Sequence, residues 1–299
     1  MKIMVTGGTG FVGASLIPAL TEAGHEVILL VRRGEPAKFS GPKVEVVEAN
    51  TMAEGVWQER VKECLGAINL AGAPINTRWN KKNKELIRDS RVLTTRNLVS
   101  AIPENSGFRL LSTSAVGYYG DGGEALLSES APPGDDFLAS VAKEWEEEAL
   151  AASKKGVKVA ITRFGIVLDS GGGALEKLEA LSRKFLGGPL GNGRQWFSWI
   201  HRADLVRALL FLLDKPEIEG PVNLSAPSPV RQLELMRVLG RALKRPSFTP
   251  APSFAIRLLL GDFADVLLFS QRMDPLRLRE AGFQFEYPTI ESAVSAIYG

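Results

Sequence analysis

The sequence predicts an α/β fold, in which a doubly wound parallel sheet is followed by a smaller, mainly helical C-terminal lobe. Short β-branched runs alternate with longer amphipathic stretches as far as about residue 163, as in repeated βαβ units. A glycine-rich turn follows the first of these runs. Links rich in glycine and proline interrupt the rest of the chain. We therefore expect one domain over residues 1–165 and a substrate-facing lobe over residues 166–299.

Short apolar segments are predicted to be strands, and longer amphipathic segments are predicted to be helices. Short runs that are apolar throughout are typical of parallel strands covered on both faces. The predicted strands are Ile3–Val5, Val27–Val31, Val44–Val47, Ala67–Leu70, Leu110–Thr113 and Val159–Arg163. The predicted helices are Val12–Ala23, Lys82–Ala101, Asp136–Lys154, Ala174–Phe185, Leu205–Leu213, Gln232–Leu243 and Phe254–Phe269.

The composition limits the classes of partner and the compartment. Lys and Arg number 36 against 34 acidic residues, and they are scattered along the chain. Nucleic-acid binding needs a concentrated basic surface, so no nucleic-acid partner is expected. No apolar run approaches the roughly 18 residues of a membrane span, so no membrane partner is expected. Because Cys64 is the single cysteine and no metal-ligand cluster is visible, we expect a cytoplasmic protein without a metal.

A glycine-rich turn joins the first predicted strand to the first predicted helix. Gly8-Thr9-Gly10-Phe11-Val12-Gly13 fits the pattern G-x-G-x-x-G in the strand-turn-helix context that makes it meaningful. Its glycines let backbone N–H groups approach a diphosphate, and the helix N-terminus adds positive potential. We therefore predict a Rossmann-type dinucleotide site. The predicted contacts in the turn are Gly7, Gly8, Thr9, Gly10, Phe11 and Val12.

The end of the second predicted strand indicates which dinucleotide binds. An acidic residue there would accept hydrogen bonds from the adenosine ribose, whereas arginine would neutralise an added 2′-phosphate. The strand ends in Arg32 and Arg33, so we predict NADP(H) as the cofactor. The alternative is that both arginines are solvated loop charges. Asn50, after the third strand, is predicted to contact adenine.

Motifs beyond the turn carry a family resemblance. They are Asn69-Leu70-Ala71-Gly72, the strand Leu110–Ser114, Ser114-Ala115-Val116-Gly117-Tyr118-Tyr119-Gly120, Lys143-Glu144-Trp145-Glu146, the run Gly193–His201, Pro275 and Gly282-Phe283. With them the chain resembles the extended short-chain dehydrogenase/reductase superfamily. It looks most like an atypical branch of epimerase-family, nucleoside-diphosphate-sugar-epimerase-like proteins, sometimes labelled cell-division inhibitors. The resemblance implies further cofactor contacts at Leu70, Ala71 and Gly72.

The resemblance also implies catalytic residues, of which one is missing. The superfamily uses a serine together with Tyr-x-x-x-Lys; Ser114 matches the serine and Lys143 the lysine that binds the nicotinamide ribose. The tyrosine position is Ala139. An i, i+4 pair shares one helix face, so Ala139 and Lys143 are both predicted to face the cofactor. A solvated Lys143 and a strand-end Ser114 bonded to nearby backbone are the alternatives.

Other side chains are candidates for proton transfer and for substrate binding. Tyr118 and Tyr119 follow Ser114 at the carboxyl end of a strand and are candidate proton donors, with packing in the pocket wall as the alternative. Arg194 and Trp196 lie in an aromatic loop that suits a planar or anionic substrate, although an alternating run also suits a strand between lobes. Arg78 and Trp79 are predicted to line the pocket from the other side, or else to form an exposed contact. For His201 and Asp204 we expect a structural role at a helix N-terminus.

Two functions are consistent with these features. The first is an NADP(H)-dependent oxidoreductase or epimerase-like enzyme that lacks the usual tyrosine and acts on a small-molecule substrate. The second is a non-catalytic NADP(H)-binding protein that senses redox state or binds a partner protein. Ala139 favours the second function, whereas Lys143 and the aromatic loop favour the first.

Overall fold

A seven-stranded parallel sheet forms the centre of the molecule. The computed structural model describes residues 1–34, 39 and 41–299. The strands are β1 (Lys2–Thr6), β2 (Glu26–Val31), β3 (Val44–Glu48), β4 (Gly66–Asn69), β5 (Arg109–Ala115), β6 (Lys158–Phe164) and β7 (Gly220–Leu224). They lie in the order β3-β2-β1-β4-β5-β6-β7, and each neighbouring pair is parallel. The strand order reverses between β1 and β4, which is where ligands bind in such sheets.

Helices cover both faces of the sheet. The helices are α1 (Gly13–Glu22), α2 (Lys81–Ala101), α3 (Phe137–Leu150), α4 (Gly173–Arg183), α5 (Arg202–Leu213), α6 (Gln232–Leu243), α7 (Ser253–Leu260), α8 (Ala264–Leu268), α9 (Leu276–Glu280) and α10 (Ile290–Tyr298). Helices α1 and α5 contact each other over one face, and α2 and α3 contact each other over the other. Burial on both faces explains why the strand sequences are apolar throughout.

The C-terminal lobe has its own hydrophobic core. Leu175 of α4, Leu235 and Leu239 of α6 and Ala293 of α10 pack together with Trp199. Three two-stranded pairings involve the lobe. One joins it to the first half of the chain, Leu126–Leu127 with Arg272–Met273. The other two lie within the lobe: Trp196–Phe197 with Val230–Arg231, and Ile166–Leu168 with Trp199–His201. No helix in the described part of the chain is long and apolar enough to cross a membrane.

The predicted fold class and all six predicted strands are confirmed. Elements that were not predicted include the 3-10 helices Val56–Glu63 and Val116–Tyr119 and, in the second half of the chain, β7. Strand β7 was not predicted, because Gly220 and Pro221 are unusual in strands; Pro221 is tolerated here because β7 is the edge strand. The predicted helix Phe254–Phe269 is interrupted by a 3-10 turn at Gly261–Phe263. Strand β7 belongs to the sheet and α5 packs against it, although both lie beyond residue 165. The division of the chain into two domains at that residue stays a prediction.

Candidate active site

A cleft of about 950 Å³ opens at the carboxyl ends of β1, β2, β4 and β5. It lies at the reversal of strand order and is closed on its far side by α3 and α8. Its lining includes twelve of the site residues predicted from the sequence. They are Gly7, Thr9, Gly10, Phe11, Val12, Arg32, Asn50, Leu70, Ala71, Gly72, Trp79 and Ser114.

The glycine turn lies too close to its surroundings for side chains at two positions. Gly7 has a φ of +66°, and a Cβ there would lie 2.7 Å from the carbonyl carbon of Leu70. A Cβ on Gly13 would lie 2.2 Å from the carbonyl oxygen of Gly8. The turn is therefore pressed against the end of β4, and α1 begins directly on the turn. Gly8 packs beneath it and does not line the cleft.

A buried hydrogen-bond chain holds the ends of β1 and β4 together beneath the turn. Thr6 Oγ1 donates to Asn69 Oδ1 at 2.6 Å, and Asn69 Nδ2 donates to Thr95 Oγ1 at 2.7 Å. Trp145 Nε1 also donates to Thr95 Oγ1, at 2.8 Å. The chain therefore connects the sheet to α2 and α3. The sequence contains one indication of this hydrogen-bond chain, since Thr6 and Asn69 are polar residues at the ends of apolar strands.

Phe11 is fixed by residues from the second half of the chain. The Cζ atom of Arg202 lies 4.6 Å from the centroid of the Phe11 ring, and its Nη1 donates to the Phe11 carbonyl at 3.3 Å. Arg202 is itself held by Asp169, whose Oδ2 accepts from Nε at 2.8 Å. A Cβ on Gly172 would lie 2.6 Å from the Phe11 ring. The position of the turn therefore depends on contacts far away in sequence.

One arginine of the predicted pair reaches the cleft. Arg32 lines its end beside β2, together with Asn50. Arg33 is exposed and does not line the cleft. Successive residues leaving a strand point in different directions, so the solvated alternative describes Arg33.

Ser114 forms a buried contact with a carboxylate that the sequence analysis did not predict. Its Oγ donates to Glu146 Oε1 at 2.6 Å. Glu146 accepts from Nε and Nη2 of Arg163, each at 2.8 Å, in a bidentate pair. All three residues are buried. Because the Ser114 proton is directed at Glu146, the serine oxygen is left as a hydrogen-bond acceptor.

Tyr118 and Tyr119 lie outside the cleft, which corrects their assignment as proton donors. Tyr119 Oη donates to Asn223 Oδ1 at 2.7 Å and accepts from Arg163 Nη1 at 2.9 Å. Burial raises the pKa of Tyr119 to about 12. The Cζ atom of Arg163 lies 3.5 Å from the centroid of the Tyr118 ring. Both tyrosines therefore pack around Arg163, outside the wall of the cleft in which the alternative placed them.

The cleft-facing side of α3 is one residue out of register with the prediction. Asp136 caps the helix by accepting from the backbone N of Leu138 at 2.8 Å. Five residues of α3 line the cleft: Phe137, Leu138, Val141, Ala142 and Trp145. Ala139 is buried elsewhere and Lys143 is exposed. The prediction that Lys143 faces the cleft is therefore wrong, and the residues of α3 that do face it carry no charge.

A half-buried guanidinium, that of Arg91 on α2, lines the cleft opposite α3. Its Nη1 donates to the Ile87 carbonyl at 2.8 Å and its Nη2 to the Ala73 carbonyl at 3.1 Å. Its Cζ lies 5.4 Å from the centroid of the Trp145 ring. Burial lowers the pKa of Arg91 to about 10, so it stays charged at neutral pH. Among the described residues no carboxylate pairs with it, and three of its five N–H groups remain for a ligand.

Aromatic rings and an ion pair close the mouth of the cleft. The Trp79 centroid lies 5.1 Å from that of Phe137 and 6.0 Å from that of Phe263. Lys84 Nζ lies 2.7 Å from Asp262 Oδ2 and so joins α2 to the turn after α7. Arg78 is exposed and does not line the cleft, which corrects its assignment to substrate.

The aromatic loop contains a short strand, Trp196–Phe197, that pairs within the C-terminal lobe, and neither Arg194 nor Trp196 lines the cleft. Trp196 pairs with Arg231 across a short antiparallel ladder, and the Cζ atom of Arg231 lies 3.8 Å from the centroid of its ring. Trp196 Nε1 donates to Glu124 Oε2 at 3.0 Å. Arg194 is exposed. The strand alternative therefore replaces the substrate assignment.

His201 and Asp204 have structural roles, as predicted. His201 Nδ1 accepts from the backbone N of Ala203 at 3.2 Å and caps α5. Asp204 accepts from the backbone N of Glu286 at 2.9 Å and of Tyr287 at 2.8 Å. It thus ties α5 to the segment before α10.

Known proteins resemble the chain over its full length. Residues 3–224 match the NAD dependent epimerase/dehydratase family, and residues 251–297 match a domain of unknown function, DUF1731. The epimerase family protein SDR39U1 homolog, chloroplastic, of Arabidopsis thaliana is 40% identical over 301 residues, covering 99% of this chain and 86% of that protein. An epimerase family protein of Staphylococcus epidermidis is 36% identical over 298 residues, covering 98% and 97%. The crystal structure of human epimerase family protein SDR39U1 (isoform 2) with NADPH has a TM-score of 0.84 at 32% identity, covering 100% of this chain and 99% of that one. The chain therefore belongs to the NAD-dependent epimerase/dehydratase family.

Proposed function

We propose that the protein is an NADP(H)-dependent oxidoreductase or epimerase-like enzyme that acts on a small molecule in the cleft. The observation that carries this proposal is the glycine turn at the strand-order reversal, where a Cβ on Gly7 would lie 2.7 Å from the Leu70 backbone. Such a turn lets backbone amides approach a diphosphate closely. The crystallisation of the human relative with NADPH supports the choice of cofactor.

The residues of the cleft fit this cofactor chemically. The backbone amides of Gly7–Val12 and the N-terminus of α1 would hold the diphosphate. Arg32 would bind the 2′-phosphate with charge-assisted hydrogen bonds, and Asn50 would contact the adenine. Leu70, Ala71 and Gly72 would lie along the ribose and diphosphate of the cofactor, because they follow β4 directly.

The chemistry follows from what the chain places beside the nicotinamide end. When bound, the cofactor supplies or accepts a hydride. Ser114 Oγ accepts a hydrogen bond from a substrate hydroxyl, because its own proton is directed at Glu146. Arg91 binds a substrate or ribose oxygen with its remaining N–H groups and supplies the cation that α3 does not present to the cleft. Leu138 and Ala142 exclude water from the reacting atoms.

Replacing Arg32 by alanine should weaken NADPH binding far more than NADH binding. Loss of a hydrogen bond to a charged group costs about 1.5–3 kcal/mol, which corresponds to roughly 10- to 100-fold in Kd. NADH has no 2′-phosphate, so its Kd should change by less than about threefold. Titration calorimetry with both nucleotides measures the ratio. Arg33→Ala is the matched control and should leave both affinities unchanged; equal losses for both nucleotides in Arg32→Ala would remove the assignment.

Replacing Arg91 by glutamine should lower turnover, whereas the same change at Lys143 should not. Arg91 lines the cleft and Lys143 is exposed, so the two variants lose the same charge in different places. We expect kcat/KM to fall about 10- to 100-fold in Arg91→Gln, as for one lost charge-assisted contact.

The assay follows oxidation of NADPH in the presence of carbonyl, quinone and nucleotide-sugar compounds. Equal activities of the two variants would contradict the role of Arg91. If the wild-type protein binds NADPH but consumes none of these compounds, the non-catalytic NADP(H)-binding function replaces the enzymatic one. The apolar pair Leu138 and Ala142 on α3 is the observation that keeps this second function open.

A further inference from the structure

Helix α7 is apolar on most of its circumference but is barely covered by the rest of the protein. Ile256 is its one buried residue. Leu258 and Leu259 are 83% and 82% exposed, and Phe254 is 73% exposed. Phe248, in the preceding segment, is 77% exposed. Large side chains exposed this far, close together in one segment, indicate a surface that contacts another molecule.

A second exposed segment extends this surface. The backbone N of Thr249 donates to the Gly187 carbonyl at 3.1 Å, and that of Ala251 donates to the Pro189 carbonyl at 2.9 Å. Residues 247–251 therefore run beside residues 185–191, whose Phe185 and Leu186 are also exposed. We call the whole surface the apolar ridge. It consists of Phe185, Leu186, Phe248, Phe254, Leu258 and Leu259.

Positive charge adjoins the apolar ridge. Residues 237–260 contain no Asp or Glu and five basic residues. Four of them line one shallow depression and form what we call the basic cluster: Arg237, Arg241, Lys244 and Arg245. The Cζ atom of Arg245 lies 5.1 Å from the centroid of the Phe185 ring, so the cluster and the ridge are continuous. Among the described residues no carboxylate pairs with the four cations, although ion pairs occur elsewhere on the surface.

We propose that the apolar ridge and the basic cluster together form a docking surface for an anionic lipid bilayer. Exposed Leu and Phe side chains insert at the boundary of headgroups and acyl chains, and Lys and Arg are attracted to anionic headgroups. The absence of acidic residues from 237–260 gives this segment the charge opposite to that of such a membrane. The expectation of no membrane partner rested on the lack of a spanning segment, whereas this proposal concerns contact with the membrane surface.

Charge also argues against a second copy of this chain as the occupant. In a symmetric dimer the same patch meets itself, and residues 237–260 contribute no carboxylate that could pair with the other copy's basic cluster. A bilayer on the ridge would lie beside the mouth of the cleft, because Asp262 and Val266, just beyond α7, line that cleft. The proposal does not depend on the reaction or on the cofactor.

Co-sedimentation with vesicles tests the proposal. The wild-type protein should sediment with vesicles of phosphatidylcholine and phosphatidylglycerol, but not with phosphatidylcholine alone, and binding should weaken as salt increases. The double variant L258S/L259S should bind the anionic vesicles about tenfold more weakly or worse. Because both leucines are exposed, NADPH affinity and thermal unfolding should be unchanged. R241Q/K244Q should lose the salt-dependent part of the binding.

The matched control is V56S/L65S, which removes two exposed apolar side chains from another surface and should bind vesicles like the wild type. Three results would overturn the proposal. They are no binding to anionic vesicles, equal binding by L258S/L259S and the wild type, and a dimer in sedimentation velocity that L258S/L259S abolishes. The third result would assign the ridge to a second copy of the chain.

Discussion

Replacing Glu146 by alanine should lower the free energy of unfolding by about 3–5 kcal/mol, because it leaves a buried guanidinium without its partner. Arg163 would keep its hydrogen bonds to Tyr119 and to the Glu129 carbonyl. Neither is an anion, and the charge would stay away from water. Ser114 would also lose the acceptor of its proton. Urea unfolding followed by circular dichroism measures the change in free energy.

Glu148→Ala is the matched control for this prediction. Glu148 lies on the same helix and pairs with Arg96 at 2.6 Å, but this pair is exposed. Exposed ion pairs contribute about 0–1 kcal/mol, so the control should be nearly as stable as the wild type. If the two variants lose the same stability, the Glu146–Arg163 pair is not the buried support of Ser114 that its geometry indicates.

The sheet could be predicted from the sequence because its strands are covered on both faces. Such strands are short, apolar runs, and the runs around Val5, Leu29 and Leu111 have this pattern. Strand β7 was missed because an edge strand tolerates a proline, and so its sequence lacks that pattern. Where helices end within the C-terminal lobe depends on tertiary contacts, and the break at Gly261 was therefore not predicted.

The site could be predicted only in part, because the sequence does not show in which direction each side chain points. The glycine turn and Arg32 were predicted from short sequence motifs, although residues distant in sequence fix the position of the turn. Lys143 was assigned from the family motif, and its direction from the i, i+4 spacing, yet an error of one residue rotates a helical side chain by about 100°. The position of Arg91 in the cleft could not be predicted either, because the sequence of α2 does not show which of its cations lines the cleft without a carboxylate partner. These are properties of the packed molecule.

Replacing Gly7 by alanine should abolish NADPH binding, with an increase in Kd of about 100-fold or more. Two effects combine at this position. Its φ of +66° disfavours any side chain, and the added Cβ would lie 2.7 Å from the backbone of Leu70. Leu70 directly follows β4, and its backbone N donates to the Thr6 carbonyl of β1, so it cannot move without disturbing the sheet. The turn must move instead, and its amides would then no longer converge on a diphosphate.

Gly24→Ala separates these two effects. Gly24 has a φ of +89°, but a Cβ there meets no described atom within 4 Å. The control therefore carries the backbone strain without the clash and should cost about 1–2 kcal/mol of stability. Its NADPH affinity, measured by calorimetry, should stay at the wild-type value. If Gly24→Ala weakened NADPH binding as much as Gly7→Ala, general destabilisation would explain the loss. A loss confined to Gly7→Ala requires the close approach of the turn to β4, which is the contact on which the dinucleotide site depends.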